Sequence, residues 1–122
     1  MSLNASEALK SARDTINLLR AYQAKLPKSP AKKTDSHYTI QGVLLDESDH
    51  DQFHTLYLQK VNKYQPGGMN LRNMSPADRL GLLEVLVELG HDERVDAYML
   101  YLLVTQLCEL FLLVKADLAT RS

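Results

Sequence analysis

The sequence predicts an all-α fold: a small four-helix, bundle-like domain with a C-terminal antiparallel helical hairpin and one short extended or strand-like segment near residues 37–45. Three observations carry that expectation. Apolar residues recur at three- and four-residue spacing in four separate stretches. Proline and glycine clusters punctuate the chain between those stretches. The run from Ala97 to Ala116 is almost unbroken Leu, Val, Met, Phe and Tyr, interrupted mainly by Thr105, Gln106, Glu109 and Lys115.

The first helix is expected from Ala5 to Leu26. Asn4 and Glu7 stand at capping-box spacing, and Ala5, Ala8, Leu9, Ala12, Ile16, Leu19 and Leu26 form one apolar stripe. Pro27 ends it. Residues 27–37, rich in proline, lysine and serine, read as a flexible basic linker within a single domain spanning residues 1–122. From His37 to Leu45, Tyr38, Ile40 and Leu44 alternate against Thr39 and Gln41. With no second strand of comparable quality, the backbone groups of this segment either pair with a second copy or pack as extended chain on helices.

The second helix is expected from Ser48 or Asp49 to Tyr64, with acidic residues at its start, as the helix dipole prefers. Phe53, Leu56, Tyr57, Val61 and Tyr64 supply its apolar stripe, and Pro66-Gly67-Gly68 stops it. Ser75-Pro76 opens the third helix as a cap followed by proline at the first helical position. Leu80, Leu83, Leu86, Val87 and Leu89 are its core residues, and Gly90 suits its C-terminal cap. Asp92 is expected to cap the fourth helix, so that Gly90-His91-Asp92 closes a helical hairpin.

A chain of 122 residues is long enough to bury roughly two-thirds of its unfolded surface. The near-zero net charge conceals an asymmetry: residues 1–33 hold seven basic side chains against two acidic, and the rest hold seven basic against thirteen acidic. A basic arm on an acidic body docks on that body, on another copy or on a polyanion. Arg13, Arg20, Lys25, Lys28, Lys32 and Lys33 are the candidate polyanion-binding residues. The single cysteine, Cys108, lies in the most apolar stretch and reads as a buried free thiol. The first residues lack the charged lead and apolar core of a secretory signal, which predicts a cytoplasmic location.

On a helical wheel the fourth helix places Met99, Leu100, Leu103, Val104, Leu107, Cys108, Leu110, Phe111, Val114 and Leu118 on one broad face. Arg94, Tyr98, Tyr101, Thr105 and Glu109 fall opposite, with Leu102, Leu112 and Leu113 intruding among them. Gln106 and Glu109 inside the apolar run argue against a membrane span. A helix apolar nearly all round is buried somewhere. The expectation is therefore a homodimer, with Leu102, Leu112, Leu113, Tyr98 and Tyr101 as interface residues.

Chemistry is sparse. His50 and His54 have the four-residue spacing of the H-E-x-x-H zinc motif, with Asp51 where that motif has glutamate and no third ligand at a diagnostic distance. His91-Asp92 is similar to the paired residues of HD-type metal phosphohydrolases, whose set His54 and Asp117 would have to complete; the resemblance is a dipeptide. His54 on an amphipathic helix resembles histidine phosphotransfer domains, but Thr-Leu-Tyr-Leu-Gln-Lys follows it instead of the small glycine that such helices carry. Pro66-Gly67-Gly68-Met69 has no following Lys-Ser/Thr and makes no phosphate loop.

No catalytic residue and no cofactor is expected. The sequence predicts a small non-enzymatic interaction protein, a regulator, adaptor, inhibitor or assembly factor, with itself and an unidentified protein as partners. The alternatives are a nucleic-acid-associated protein using the basic arm and a metal-dependent hydrolase around His50 and His54.

Overall fold

Every helix begins on a side-chain oxygen. The N–H of Glu7 donates to Asn4 Oδ1 at 2.9 Å, that of Asp49 to Asp46 Oδ1 at 2.8 Å, that of Asp78 to Ser75 Oγ at 3.2 Å and that of Met99 to Asp96 Oδ1 at 2.9 Å. Each bond satisfies a donor that the first turn of a helix leaves without an internal acceptor. The computed structural model describes residues 4–25, 39, 46–64 and 70–120. Within them α1 spans Ala5–Lys25, α2 Glu47–Tyr64, α3 Pro76–Gly90 and α4 Ala97–Thr120, with one 3-10 turn at Leu71–Asn73. The architecture is the all-α bundle that the sequence predicts.

Helices α1, α3 and α4 pack on one another, and α2 lies against α3. Ala8, Ala12, Ile16 and Leu19 on α1 meet Leu82, Leu83, Leu86 and Leu89 on α3 and Leu100, Leu103, Leu107 and Leu110 on α4 in one core. The small alanines let α1 approach closely, and the leucines of the other helices fill the space. Phe53, Tyr57 and Val61 bury the predicted stripe of α2. Tyr57 also reaches α4, donating from its hydroxyl to Gln106 Oε1 at 2.6 Å. Burial pushes the Tyr57 phenol above its ordinary pKa of 10.0. At the far end, Arg79 on α3 grips Asp117 on α4 through two bonds from one nitrogen and donates to the Met74 carbonyl.

Four local expectations change. Helix α2 starts at Glu47, ahead of the expected Ser48 or Asp49, because Asp46 is its cap. Asp92 does not cap α4; Asp96 does, and the connection runs from His91 to Asp96. Asp92 instead folds the connection on itself, accepting the backbone N–H of Arg94 at 2.9 Å and both sides of its guanidinium at 3.0 Å. Gly90 is the buried last residue of α3, not a cap beyond it. A Cβ there would sit 3.0 Å from Thr15 Cγ2 and 3.4 Å from Leu19 Cδ1, so glycine allows α3 to end against α1. In the expected strand-like segment, Thr39 forms an isolated antiparallel bridge with Asp96. The rest of residues 37–45 and all of the linker at 27–37 lie outside the described residues.

The Asp92–Arg94 pair sets one pH dependence. Hydrogen bonds from Arg94 hold the Asp92 carboxyl below its ordinary pKa of 3.8, outweighing the opposing effect of burial. A carboxyl depressed in the folded state stabilises fully above 3.8 and loses that contribution as pH falls through its lowered value. Urea titrations at descending acidic pH should show a loss of about 0.2–1 kcal/mol from this pair. Asp92→Asn should lack that increment.

Candidate functional site

Helix α4 carries two kinds of surface. Met99, Leu100, Leu103, Val104, Leu107, Leu110 and Val114 are buried by the other helices. Its outer side leaves Leu112 66% exposed, Tyr98 57% and Tyr101 46%. The other two candidate interface residues, Leu102 and Leu113, are half-buried against the core. By length and composition α4 suffices to cross a membrane, yet only 39% of its most apolar window is buried inside the chain. Leu102, Cys108, Phe111 and Leu113 in the same run are partly buried against the core. Thr105 and Glu109 lie exposed between the tyrosines and Leu112, and a carboxylate facing lipid is costly.

Positions 98, 101, 105, 109 and 112 recur at three and four residues, which places them on one side of a helix. The stripe from Tyr98 to Leu112 is about 21 Å long. Thr105 stands at its midpoint, seven residues from either end. Its hydroxyl donates to the Tyr101 carbonyl at 2.9 Å and so is satisfied within the helix. A small, internally bonded residue at the centre with larger apolar residues at both ends lets a second helix approach closely.

Beside this stripe, α1 and α4 enclose a groove. One hollow of about 250 Å³ is lined by Arg13, Ile16, Asn17, Arg20, Cys108, Phe111 and Leu112. Toward the helix ends a second, of about 300 Å³, takes in Leu9, Lys10, Arg13, Phe111, Lys115 and Leu118. Arg13 and Phe111 belong to both, and the Arg13 guanidinium lies 5.5 Å from the Phe111 ring centre. Arg20 donates to Cys108 Sγ at 3.3 Å. The expected buried thiol is thus partly exposed on a groove wall beside a cation.

Of the candidate polyanion-binding residues, Arg13 and Arg20 share this groove. Lys25 instead lies 6.0 Å over the Tyr22 ring near the end of α1. Lys28, Lys32 and Lys33 lie outside the described residues.

His50, one of the two candidate metal histidines, stands beside two carboxylates. His50 Nε2 stands 2.8 Å from Asp96 Oδ2, and its Nδ1 is 3.6 Å from Asp51 Oδ1. Among the described residues no group of three His, Cys, Asp or Glu side chains is arranged to hold a metal. His91 is engaged elsewhere, its Nε2 being 3.0 Å from Thr15 Oγ1. Asp117 is held by Arg79. Three residues of the HD-type comparison, His91, Asp92 and Asp117, therefore serve separate structural contacts.

Sequence reading missed Asp96, which is 0% exposed and joins the start of α2 to the start of α4. The available signal was an aspartate immediately before the longest apolar run. It also missed the groove, whose walls come from residues some ninety positions apart in sequence. No family model matches the chain, and neither a curated protein nor a solved structure matches it.

Proposed function

We propose that this protein is a small non-enzymatic interaction protein that works as a homodimer joined through the outer stripe of α4. The observation that supports this reading is the stripe's symmetry about Thr105. In an antiparallel α4–α4 pair with its two-fold axis at Thr105, Tyr98 of each copy meets Leu112 of the other. Tyr101 likewise comes opposite Glu109, whose carboxylate accepts a bond from the tyrosine hydroxyl. The same surface serves both copies, and the association closes at two.

The dimer shares Leu112 with one wall of the α1–α4 groove and leaves the rest of that groove as the face offered to other macromolecules. A regulator, adaptor, inhibitor or assembly factor acts through such a surface and needs no catalytic group. Sedimentation equilibrium over a range of concentrations tests the assembly. A mass rising toward twice 13.8 kDa is the expected result. A mass of 13.8 kDa at every concentration overturns the dimer.

A further inference from the structure

We propose that the groove between α1 and α4 binds an acidic amphipathic helix of a partner protein. The inference rests on the reading of the chain as an interaction protein and names the chemistry of what it takes. The floor is apolar, built from Leu9, Ile16, Phe111 and Leu118. The walls carry Lys10, Arg13, Arg20 and Lys115, and among the described residues no acidic side chain lines either hollow. Among the described residues none of these four cations pairs with a carboxylate. Arg13 rests on an aromatic face and Arg20 on a sulfur, so both guanidinium groups retain donors for an incoming anion.

Shape and charge select the occupant together. From Ser6 to Arg20 the α1 wall is about 21 Å long, four turns of helix. An amphipathic helix fills an apolar trough of that length with anchors at i, i+3, i+4 and i+7. Glutamates flanking those anchors come opposite the four cations. A nucleic-acid backbone satisfies the cations but has no apolar side to place on Phe111 and Leu118. The floor therefore favours a peptide over a phosphate chain.

The test uses the full chain and a synthetic amphipathic peptide of about 18 residues, with leucine anchors at helical spacing and glutamates beside them. A scrambled peptide of identical composition and an oligothymidylate serve as comparisons. Fluorescence anisotropy should show saturable binding of the amphipathic peptide alone, weakening as salt is raised. Arg13→Glu and Arg20→Glu should each weaken it about tenfold or more. Both positions are exposed, and thermal melting of each variant is the check that it folds. Cys108 is the single thiol, so its rate of alkylation by iodoacetamide reports occupancy in the native chain, and the peptide should slow it.

Equal binding of the scrambled peptide, or binding indifferent to both arginine variants, overturns the proposal. Oligothymidylate bound in place of the peptide, and lost in the same variants, overturns it in favour of a phosphate chain. Self-association lost in those variants, with no peptide bound, overturns it in favour of a second copy. The dimer stripe shares Leu112 with the groove but contains neither arginine, so the arginine variants test the groove alone and the two readings fail separately. A dimer that ignores the peptide ends the groove proposal alone, and a monomer that binds it ends the homodimer alone.

Discussion

Asp96→Ala is expected to destabilise the fold by about 2–5 kcal/mol, read as a lower urea midpoint. Two losses combine. The alanine no longer caps α4, because the bond from the Met99 N–H to Oδ1 disappears. It also removes the carboxylate oxygen 2.8 Å from His50 Nε2, which ties the first turn of α2 to the start of α4. A helix cap is worth about 0.5–2 kcal/mol, and a hydrogen bond to a charged group about 1.5–3 kcal/mol. His50 keeps some solvent access, at 22% of its side chain, which holds the total to the stated range. Asp96→Asn separates the two contributions, since asparagine caps as well as aspartate but carries no charge. It should recover about 1 kcal/mol relative to alanine.

Leu103→Ala is expected to cost about 2–5 kcal/mol in the same measurement. Leu103 is fully buried, on the face of α4 that α1 and α3 cover. Its removal loses the transfer free energy of the missing atoms and leaves a cavity that close-packed neighbours only partly fill. Leu112→Ala gives the contrast. With 66% of its surface already in water, it should change the stability of the isolated chain by less than about 0.5 kcal/mol. The same substitution chemistry on one helix thus separates the core from the outer stripe. Against a total stability of about 5–15 kcal/mol, the difference is large.

Much of the fold was legible because helix periodicity and caps are local signals. The stripes of α1 and α2, the Asn4 cap and the Ser75-Pro76 start all follow from residues within one or two turns of each other. Asp92 shows where local reasoning fails. It is as good a cap as Asp96 by residue type, and the shorter connection favoured it. The difference lies in Arg94, which draws the Asp92 carboxylate into a turn, and in Val95, whose complete burial fixes the chain before α4. Both are tertiary effects.

Thr15 and Leu82 were likewise hidden. Each is buried, yet neither belongs to the stripe read from sequence. Helix α3 lies between α1, α2 and α4, so its apolar residues surround it instead of lining one side. Thr15 is buried where α1 meets the end of α3, with His91 as its polar partner. The exposed side of α4 was half legible: the wheel placed Tyr98, Tyr101 and Leu112 on it. It could not show that Leu102 and Leu113 already pack on the core. The groove was not legible at all, because Arg13, Arg20, Cys108 and Phe111 become neighbours only when α1 docks on α4.

The most direct test of α4 as both core helix and dimer interface is cross-linking across the two-fold axis. Thr105→Cys in a Cys108→Ser background places one thiol at the stripe's midpoint and removes the native one. An antiparallel pair brings two such positions within reach of a disulfide, which requires Cα atoms closer than about 7 Å. Mild oxidation should give a disulfide-linked dimer on non-reducing electrophoresis. Asn62→Cys in the same background, exposed on α2, should give little. No dimer from Thr105→Cys, or equal amounts from both positions, would contradict the account.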